Sequence, residues 1–353
     1  MKILHTADIH LRGYDDDRWK TLKKIIQIGK KEHIEILVIS GDLFNQDIDA
    51  EVLKLKIREL FSNNGFKILL IPGNHDKDSY NTDIYFGDDV VILNETNKSF
   101  KNEDVEIWGM PFEPIKGEEI LSRLHSLAKN LDLKKKNILL YHGELLDAFF
   151  SRGELGDEGE ERYMPVKLSY FKDLKIDYVL AGHFHSRFDF WNIEGGGYFV
   201  YPGSPISITR RETGRRKVNL FEVGKPPHEY PLGSPYYEEV IIELDPIKDK
   251  NPVEHIKTRL NNLPSEAMIL LTVKGFINGE VIKMSEKELK NEIDRIAGNK
   301  CIKARYEYSD IRRILEDDLF RKFTEKLQET DYKEEKRREM RYLAIKAMME
   351  TIK

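Results

Sequence analysis

Eight side chains suited to metal binding or proton transfer stand at the ends of five apolar runs in this 353-residue chain. Asp8 and His10 follow residues 2–7, Asp42 follows 35–40, and Asn74 and His75 follow 67–72. His142 follows 137–141, and His183 and His185 follow 178–181. No thiolate is among them, which excludes a structural cysteine-type zinc site. Imidazole, carboxylate and amide oxygen together suit manganese, iron or zinc. Seven ligands exceed the needs of one ion and suit two ions sharing a carboxylate. Two metals about 3.5–4 Å apart clamp the attacking and leaving oxygens of an in-line phosphoryl displacement, and they bring a water's pKa toward about 7. His75 is then free to act as an acid near the leaving oxygen.

Taken singly, each residue has an ordinary explanation, as a turn cap, a loop carboxylate or a hydrogen-bonded core histidine. Together they do not, because several Asp and His side chains buried at converging strand ends are costly unless a cation neutralises them. Gly41, Gly73, Gly143 and Gly182 beside them permit sharp turns and close backbone approach.

The elements that must position these residues are legible in outline. Continuous apolar runs of four to eight residues read as strands buried on both faces, and ligands of such sheets bind beyond the carboxyl strand ends. Apolar residues at helical spacing predict helices over 17–33 and 49–61. From residue 90 shorter strands are expected at 90–93, 105–110, 188–193, 198–201 and 217–223. The product is an α/β unit with two sheets, not a simple doubly wound sheet. Residues 224–235, with Pro226, Pro227, Pro231 and Pro235, mark a boundary. Beyond it, strands at 240–244, 269–273 and 302–308 and helices at 252–263 and up to 296 form a small α/β module, with Ser285 and Glu288 as a capping box. The expected division is 1–224, 236–310 and 311–353. In the last segment Leu315, Leu319, Phe320, Phe323 and Leu327 mark one amphipathic helix, and Met340, Leu343, Ala344, Ala347, Met348 and Ile352 a second. Such helices either pack back onto the preceding module or offer their apolar faces to a partner.

The bulk composition limits the alternatives. A net charge of −5 argues against a chain that coats nucleic acid by charge alone, so phosphate affinity must come from local clusters, bound cations or a partner. The single cysteine, Cys301, excludes an intrachain disulfide and suits a reducing cytoplasm. No run approaches the apolar length of a membrane span, and a signal peptide is not expected.

The ordered motifs Asp8-Ile9-His10, Gly41-Asp42, Gly73-Asn74-His75-Asp76, His142 and Gly182-His183-Phe184-His185 resemble the calcineurin-like metallophosphoesterase superfamily. The stretches 2–11, Gly41-Asp42-Leu43-Phe44 and Tyr201-Pro202-Gly203-Ser204-Pro205 resemble, more narrowly, the SbcD-type nucleases of double-strand-break repair in their archaeal form. The resemblance implies a two-sheet metallophosphoesterase core, a capping domain and a C-terminal helical pair. It implies that Asp8, His10, Asp42 and His185 hold one Mn2+, and that Asp42 bridges to a second completed by Asn74, His142 and His183. His75 would be the catalytic histidine. It further implies 3′-to-5′ exonuclease and single-strand endonuclease activity, a homodimer with a contribution near 80–86, and a nucleoid-associated place in the cytoplasm. The terminal helices would dock on an SbcC-type coiled-coil ABC ATPase.

One departure is Asn45, where many members of that family carry a histidine. Arg210, Arg211, Arg215, Arg216 and Lys217 put five positive charges into eight positions after the Tyr201–Pro205 motif, either as a solvated hairpin tip or as a DNA contact. The acidic stretch 157–161 is not expected to touch DNA. His5, His33, His125, His228 and His255 read as structural or surface residues. The rival readings are a small-substrate phosphatase or nucleotide phosphodiesterase on the same fold, and a non-catalytic scaffold. A scaffold is free to lose ligands, and this chain lacks none.

Overall fold

Successive side chains of β2 (Ile36–Ser40) enter opposite cores, with Ile36 and Val38 on one side and Leu37 and Ile39 on the other. The same alternation separates Ile3 from Leu4 in β1 (Lys2–Thr6), and Leu69 and Ile71 from Ile68 and Leu70 in β3 (Lys67–Ile71). Both faces of these strands are covered, so their sequences show no polar face.

The computed structural model describes residues 1–80, 85–96, 98–148 and 163–352. The acidic stretch 157–161 and part of the segment near 80–86 lie outside the described residues. Two compact units are present, Met1–Tyr237 and Glu238–Lys353.

In the first unit one sheet runs in the order β12 (Glu229–Pro231), β11 (Lys217–Glu222), β1, β2, β3, β4 (Val90–Ile92). The other runs β5 (Ser99–Lys101), β6 (Val105–Met110), β7 (Lys136–His142), β8 (Tyr178–Gly182), β10 (Tyr198–Tyr201), β9 (Asp189–Asn192). β1, β2 and β3 are parallel, with Thr6 beside Ile39 and Ser40 beside Ile71. β7 and β8 are also parallel, with His142 beside Gly182. Parallel pairing brings the carboxyl ends of each set to one edge. A shared core that includes Val38, Leu69, Ile107, Leu140 and Leu180 fills the space between the sheets, and Ser40 Oγ donates across it to the Leu180 carbonyl at 2.7 Å.

Helices cover the outer faces. α1 (Asp17–Glu32) and α2 (Asp47–Phe61) pack Trp19, Leu22, Ile25, Leu53 and Ile57 on the first sheet. α1 starts where the Asp16 carboxylate accepts the Trp19 N–H, and it stops at His33, whose φ of 53° is left-handed. On the second sheet α3 (Glu118–Ala128), which the strand reading did not anticipate, buries Ile120, Leu124 and Leu127. The observed architecture is the two-sheet α/β core expected from the mixed strand pattern.

The proline-rich segment belongs to the first unit. β12 lies at a sheet edge, where Pro231 removes no ladder hydrogen bond from a central strand, so proline does not end the unit there.

The second unit holds a three-stranded sheet of β13 (Tyr236–Leu244), β14 (Ala267–Ile277) and β15 (Cys301–Asp310). Two helices pack on it, α4 (Pro252–Asn261) and α6 (Glu286–Ala297), and the short α5 (Gly279–Ile282) lies between β14 and α6. The capping box of Ser285 and Glu288 is formed. α7 (Arg312–Leu315), α8 (Asp318–Gln328) and α9 (Glu334–Ile352) follow. Ile311, Ile314, Phe320 and Ile345 make a small core against Ile247 and Phe276, so the terminal helices fold back onto the module. This corrects part of the expected docking stripe. Phe320 and Leu327 are buried within the unit, and Leu315, Phe323, Met340 and Met348 are half-buried. Leu319 is 69% exposed, Leu343 is 56% exposed, and Ala347 is exposed. Among the described residues no helix is long and apolar enough to cross a membrane.

Candidate metal centre

The rim residues occupy unusual backbone. Asp8, His10, Asp42 and His183 have φ of 55°, 50°, 51° and 97°, in or near the left-handed region that L residues other than glycine rarely enter. The turns after β1 and β2 are laced together by main-chain bonds: Asp8 N donates to Gly41 O, and Ile9 N and His10 N both donate to Asp42 O. A Cβ on Gly41 would stand 2.1 Å from His142 Nδ1, and one on Gly73 would stand 2.1 Å from Asp42 Oδ1. Those two glycines are required because the ligands pass where side chains would be.

Donor atoms of Asp8, His10, Asp42 and His185 all lie within 4.8 Å of one another, and all four residues are buried. His10 Nε2 is 3.3 Å from His185 Nε2 and 3.7 Å from Asp42 Oδ2, and His185 Nε2 is 3.7 Å from Asp8 Oδ1. A second set forms on the other side of Asp42. His142 Nε2 is 3.3 Å from Asp42 Oδ2 and 2.9 Å from Asn74 Oδ1, and the His183 ring centre is 5.5 Å from that of His142. Asp42 Oδ1 accepts the His75 N–H at 2.9 Å, whereas Oδ2 is buried between His10 Nε2 at 3.7 Å and His142 Nε2 at 3.3 Å. A buried carboxylate oxygen flanked by two imidazoles suits a position shared by two cations. Nitrogen and oxygen donors at this spacing fit divalent metals.

The electrostatics point the same way. Burial would lower the His142 pKa, but Asp42 and then Asp8 raise it to about 10. Its Nδ1 faces the Ser40 carbonyl at 2.8 Å, while Nε2 faces Asn74 and Asp42, so only acceptors surround the ring. A proton or a cation at Nε2 satisfies that arrangement equally. Burial would raise Asp42, yet His142 and His10 hold it well below the usual carboxylate range. Asp8 is raised to about 6 by burial, and burial pushes His10 well down.

Asn74 and His75 are only half-buried, unlike the other six rim residues, so the rim opens on their side. The His75 ring meets that of His10 edge-on at 4.8 Å. Asn45 is not among the metal-type donors; its Oδ1 accepts from Arg18 Nη1 at 3.3 Å, and the same nitrogen donates to the His10 carbonyl.

The basic cluster divides. Arg210, Arg211 and Arg215 are exposed. Arg216 is 3% exposed, and its guanidinium bonds the carbonyls of Ser204, Ser186 and His185; a head buried in this way does not face a phosphate backbone. Lys217 pairs with Glu229 on the neighbouring strand. The expected DNA contact at Arg216 is therefore corrected. Arg216 and Lys217 lie where the chain re-enters the sheet, and a charge run alone does not reveal that turn.

Ser40 and Glu212 carried no distinctive signal, and Asp76 stood in the Gly73–Asp76 motif without an assigned role. Ser40 contributes its carbonyl, which no residue type marks. Asp76 accepts from Gly73 N, Phe44 N and the Tyr80 hydroxyl and shapes the turn bearing Asn74 and His75; burial and then Asp42 raise its pKa to about 7. Glu212 reads as one acid within a basic run but lies 3.4 Å from His185 Nδ1.

Over 229 residues, 60% of this chain and 55% of the relative, the chain is 29% identical to the DNA double-strand break repair protein Mre11 of Sulfurisphaera tokodaii. It is 25% identical over 322 residues to an SbcCD nuclease subunit of Staphylococcus saprophyticus, covering 77% of this chain and 81% of that one. The chain thus spans about half the length of the Mre11 relatives it matches. Among solved structures, a dimetal phosphatase from Danio rerio overlaps 62% of this chain and 91% of its own at 9% identity, with a TM-score of 0.43. Residues 1–187, more than half of the chain, match the calcineurin-like phosphoesterase family, to which this chain belongs.

Proposed function

We propose that this chain is a manganese-dependent DNA nuclease with 3′-to-5′ exonuclease and single-strand endonuclease activity, acting in double-strand-break repair. The observation that carries the reading is Asp42, whose one carboxylate joins two donor sets beside the half-exposed His75. Asp8, His10, Asp42 and His185 would hold one cation, and Asp42, Asn74, His142 and His183 the other. Two bound divalent cations would supply charge neutralisation at the phosphate and an acidified water. His75 is the residue placed to reach a substrate entering from the open side, to contact the scissile phosphate and to give a proton to the leaving oxygen. The left-handed turns at Asp8, His10 and Asp42 hold the carboxylates and imidazoles in place before substrate arrives.

The choice of DNA rests on the similarity to the archaeal Mre11 and staphylococcal SbcCD chains and on the exposed Arg210, Arg211 and Arg215. These arginines follow the Ser204 turn that is bonded to His185 and are the proposed phosphate contacts. A homodimer is supported by an apolar face on α2, where Val52 and Leu55 are exposed, with Tyr85 also exposed nearby and stacked on Arg58. Leu319, Leu343 and Ala347 form the open remainder of the terminal helices and are the proposed docking points for an SbcC-type coiled-coil ABC ATPase. The protein would then work on DNA in the cytoplasm, nucleoid-associated. The test is a digest of end-labelled DNA in a metal series, with and without that ATPase. Cleavage restored by Mn2+ and laddering from the 3′ end is expected; DNA left intact by every metal refutes the reading.

A further inference from the structure

Two of the four metal-facing imidazoles, His142 and His185, are supported from behind by different chemistry. His142 turns Nδ1 to a neutral carbonyl, that of Ser40. His185 turns Nδ1 to a carboxylate, that of Glu212, at 3.4 Å. We propose that Glu212 is a positioning residue that orients His185 and makes the Asp8–His10–Asp42–His185 set the tighter of the two metal sites. The inference rests on the metal assignment above.

Glu212 is 1% exposed and fully engaged. Its Oε1 accepts the Thr209 N–H and hydroxyl at 3.1 and 3.2 Å, and its Oε2 accepts Ile208 N at 2.6 Å and contacts Ser204 Oγ at 3.1 Å. These bonds stop the carboxylate from swinging away and keep its charge 3.4 Å from Nδ1. Arg216 completes the frame from the opposite side. Its Nε donates to Ser204 O at 2.9 Å, Nη1 donates to Ser186 O at 2.8 Å, and Nη2 donates to the His185 carbonyl. Ser204 N also donates to the His185 carbonyl at 3.0 Å. Arg216 therefore holds the main chain of His185 while Glu212 stands behind its ring, and both touch Ser204 Oγ.

The consequence follows from tautomer chemistry. A ring that gives Nε2 to a cation must carry its proton on Nδ1, and a carboxylate acceptor there fixes that tautomer and raises the basicity of Nε2 more than a carbonyl does. Loss of such a partner typically costs roughly 10–100-fold in metal affinity. The cost should fall on one site only, because His142 leans on Ser40 instead.

The experiment is a titration of the metal-stripped full-length protein with Mn2+, with free ion followed by electron paramagnetic resonance. The wild type should show two classes of site. Glu212→Gln should weaken the tighter class by roughly 10–100-fold and leave the weaker class nearly unchanged. A Glu212→Gln protein that folds and titrates like the wild type overturns the proposal. Should the Gln variant not fold, Glu212→Asp replaces it, drawing the charge back from Nδ1. A weakened tight class then supports the role, and an unchanged one overturns it. A wild type that binds no Mn2+ overturns the metal assignment itself, and that result is distinct from a failure of Glu212 alone.

Discussion

Asp42 Oδ2, at the end of a strand in one sheet, stands 3.3 Å from His142 Nε2, at the end of a strand in the other. The pair exists only because the two sheets face each other across the Val38–Leu140–Leu180 core, and the Ser40 backbone carbonyl locks the ring from behind. Metal chemistry in this chain is thus a property of sheet packing as much as of ligand identity.

Asp42→Asn tests that sharing. The amide keeps the shape but removes the charge that both donor sets use. Affinity for both metals should fall by at least roughly 100-fold, more than the loss of a residue that merely supports a ligand. Elemental analysis after dialysis reads the outcome. Two tightly held ions in the variant would remove Asp42 as the bridge.

His75→Ala separates binding from chemistry. The residue's backbone N–H, not its ring, holds Asp42, so the metal sites should survive. Phosphodiester cleavage should drop by roughly 10^2–10^4-fold, the scale of a lost general acid. Anomalous scattering showing both metals beside undiminished activity would withdraw the role of His75.

Much of this was legible in the chain. The five strand ends, α1, the capping box of α6 and the two-sheet layout follow from apolar runs and helical spacing, because strands buried on both faces leave long uninterrupted signals. What was not legible depends on tertiary position. Arg216 belongs to a charge run that looks solvated, and only the fold shows its head buried against three carbonyls. Ser40 acts through a backbone atom. The proline-rich stretch reads as a boundary, yet an edge strand tolerates Pro231. The terminal helices show apolar residues without showing which side folds back.

His5 gives a stability prediction independent of catalysis. It is fully buried in β1, and desolvation lowers its pKa to about 3, a little offset by the Ala181 backbone. An unfolded histidine titrates near 6.5, so below that pH the unfolded chain gains a proton that the folded chain refuses. His5 thus costs no stability above about pH 6.5, and stability falls as pH drops toward 3, by up to about 1.4 kcal/mol per pH unit. His5→Gln should flatten the fall in melting temperature between pH 6.5 and 4. Parallel melting curves for the two proteins would contradict this.

The terminal helices call for paired substitutions, since deletion would strip the core formed with Ile247 and Phe276. Phe320→Ala should cost about 3–5 kcal/mol of the second unit's stability. Leu343→Asp, on the exposed side, should leave melting unchanged and abolish capture of the ATPase partner. Denaturant curves and a pull-down read the two effects, and a Leu343→Asp protein that still forms the complex refutes the docking face.

A two-metal site built on Asp42 is proposed to cleave DNA. Its most direct test is the Mn2+-dependent turnover of single-stranded DNA and of a small phosphodiester by the same preparation, with Asp42→Asn as control. Rapid DNA cleavage, slow turnover of the small ester and loss of both in the variant are expected. Fast hydrolysis of the small ester with DNA left intact would contradict that proposal.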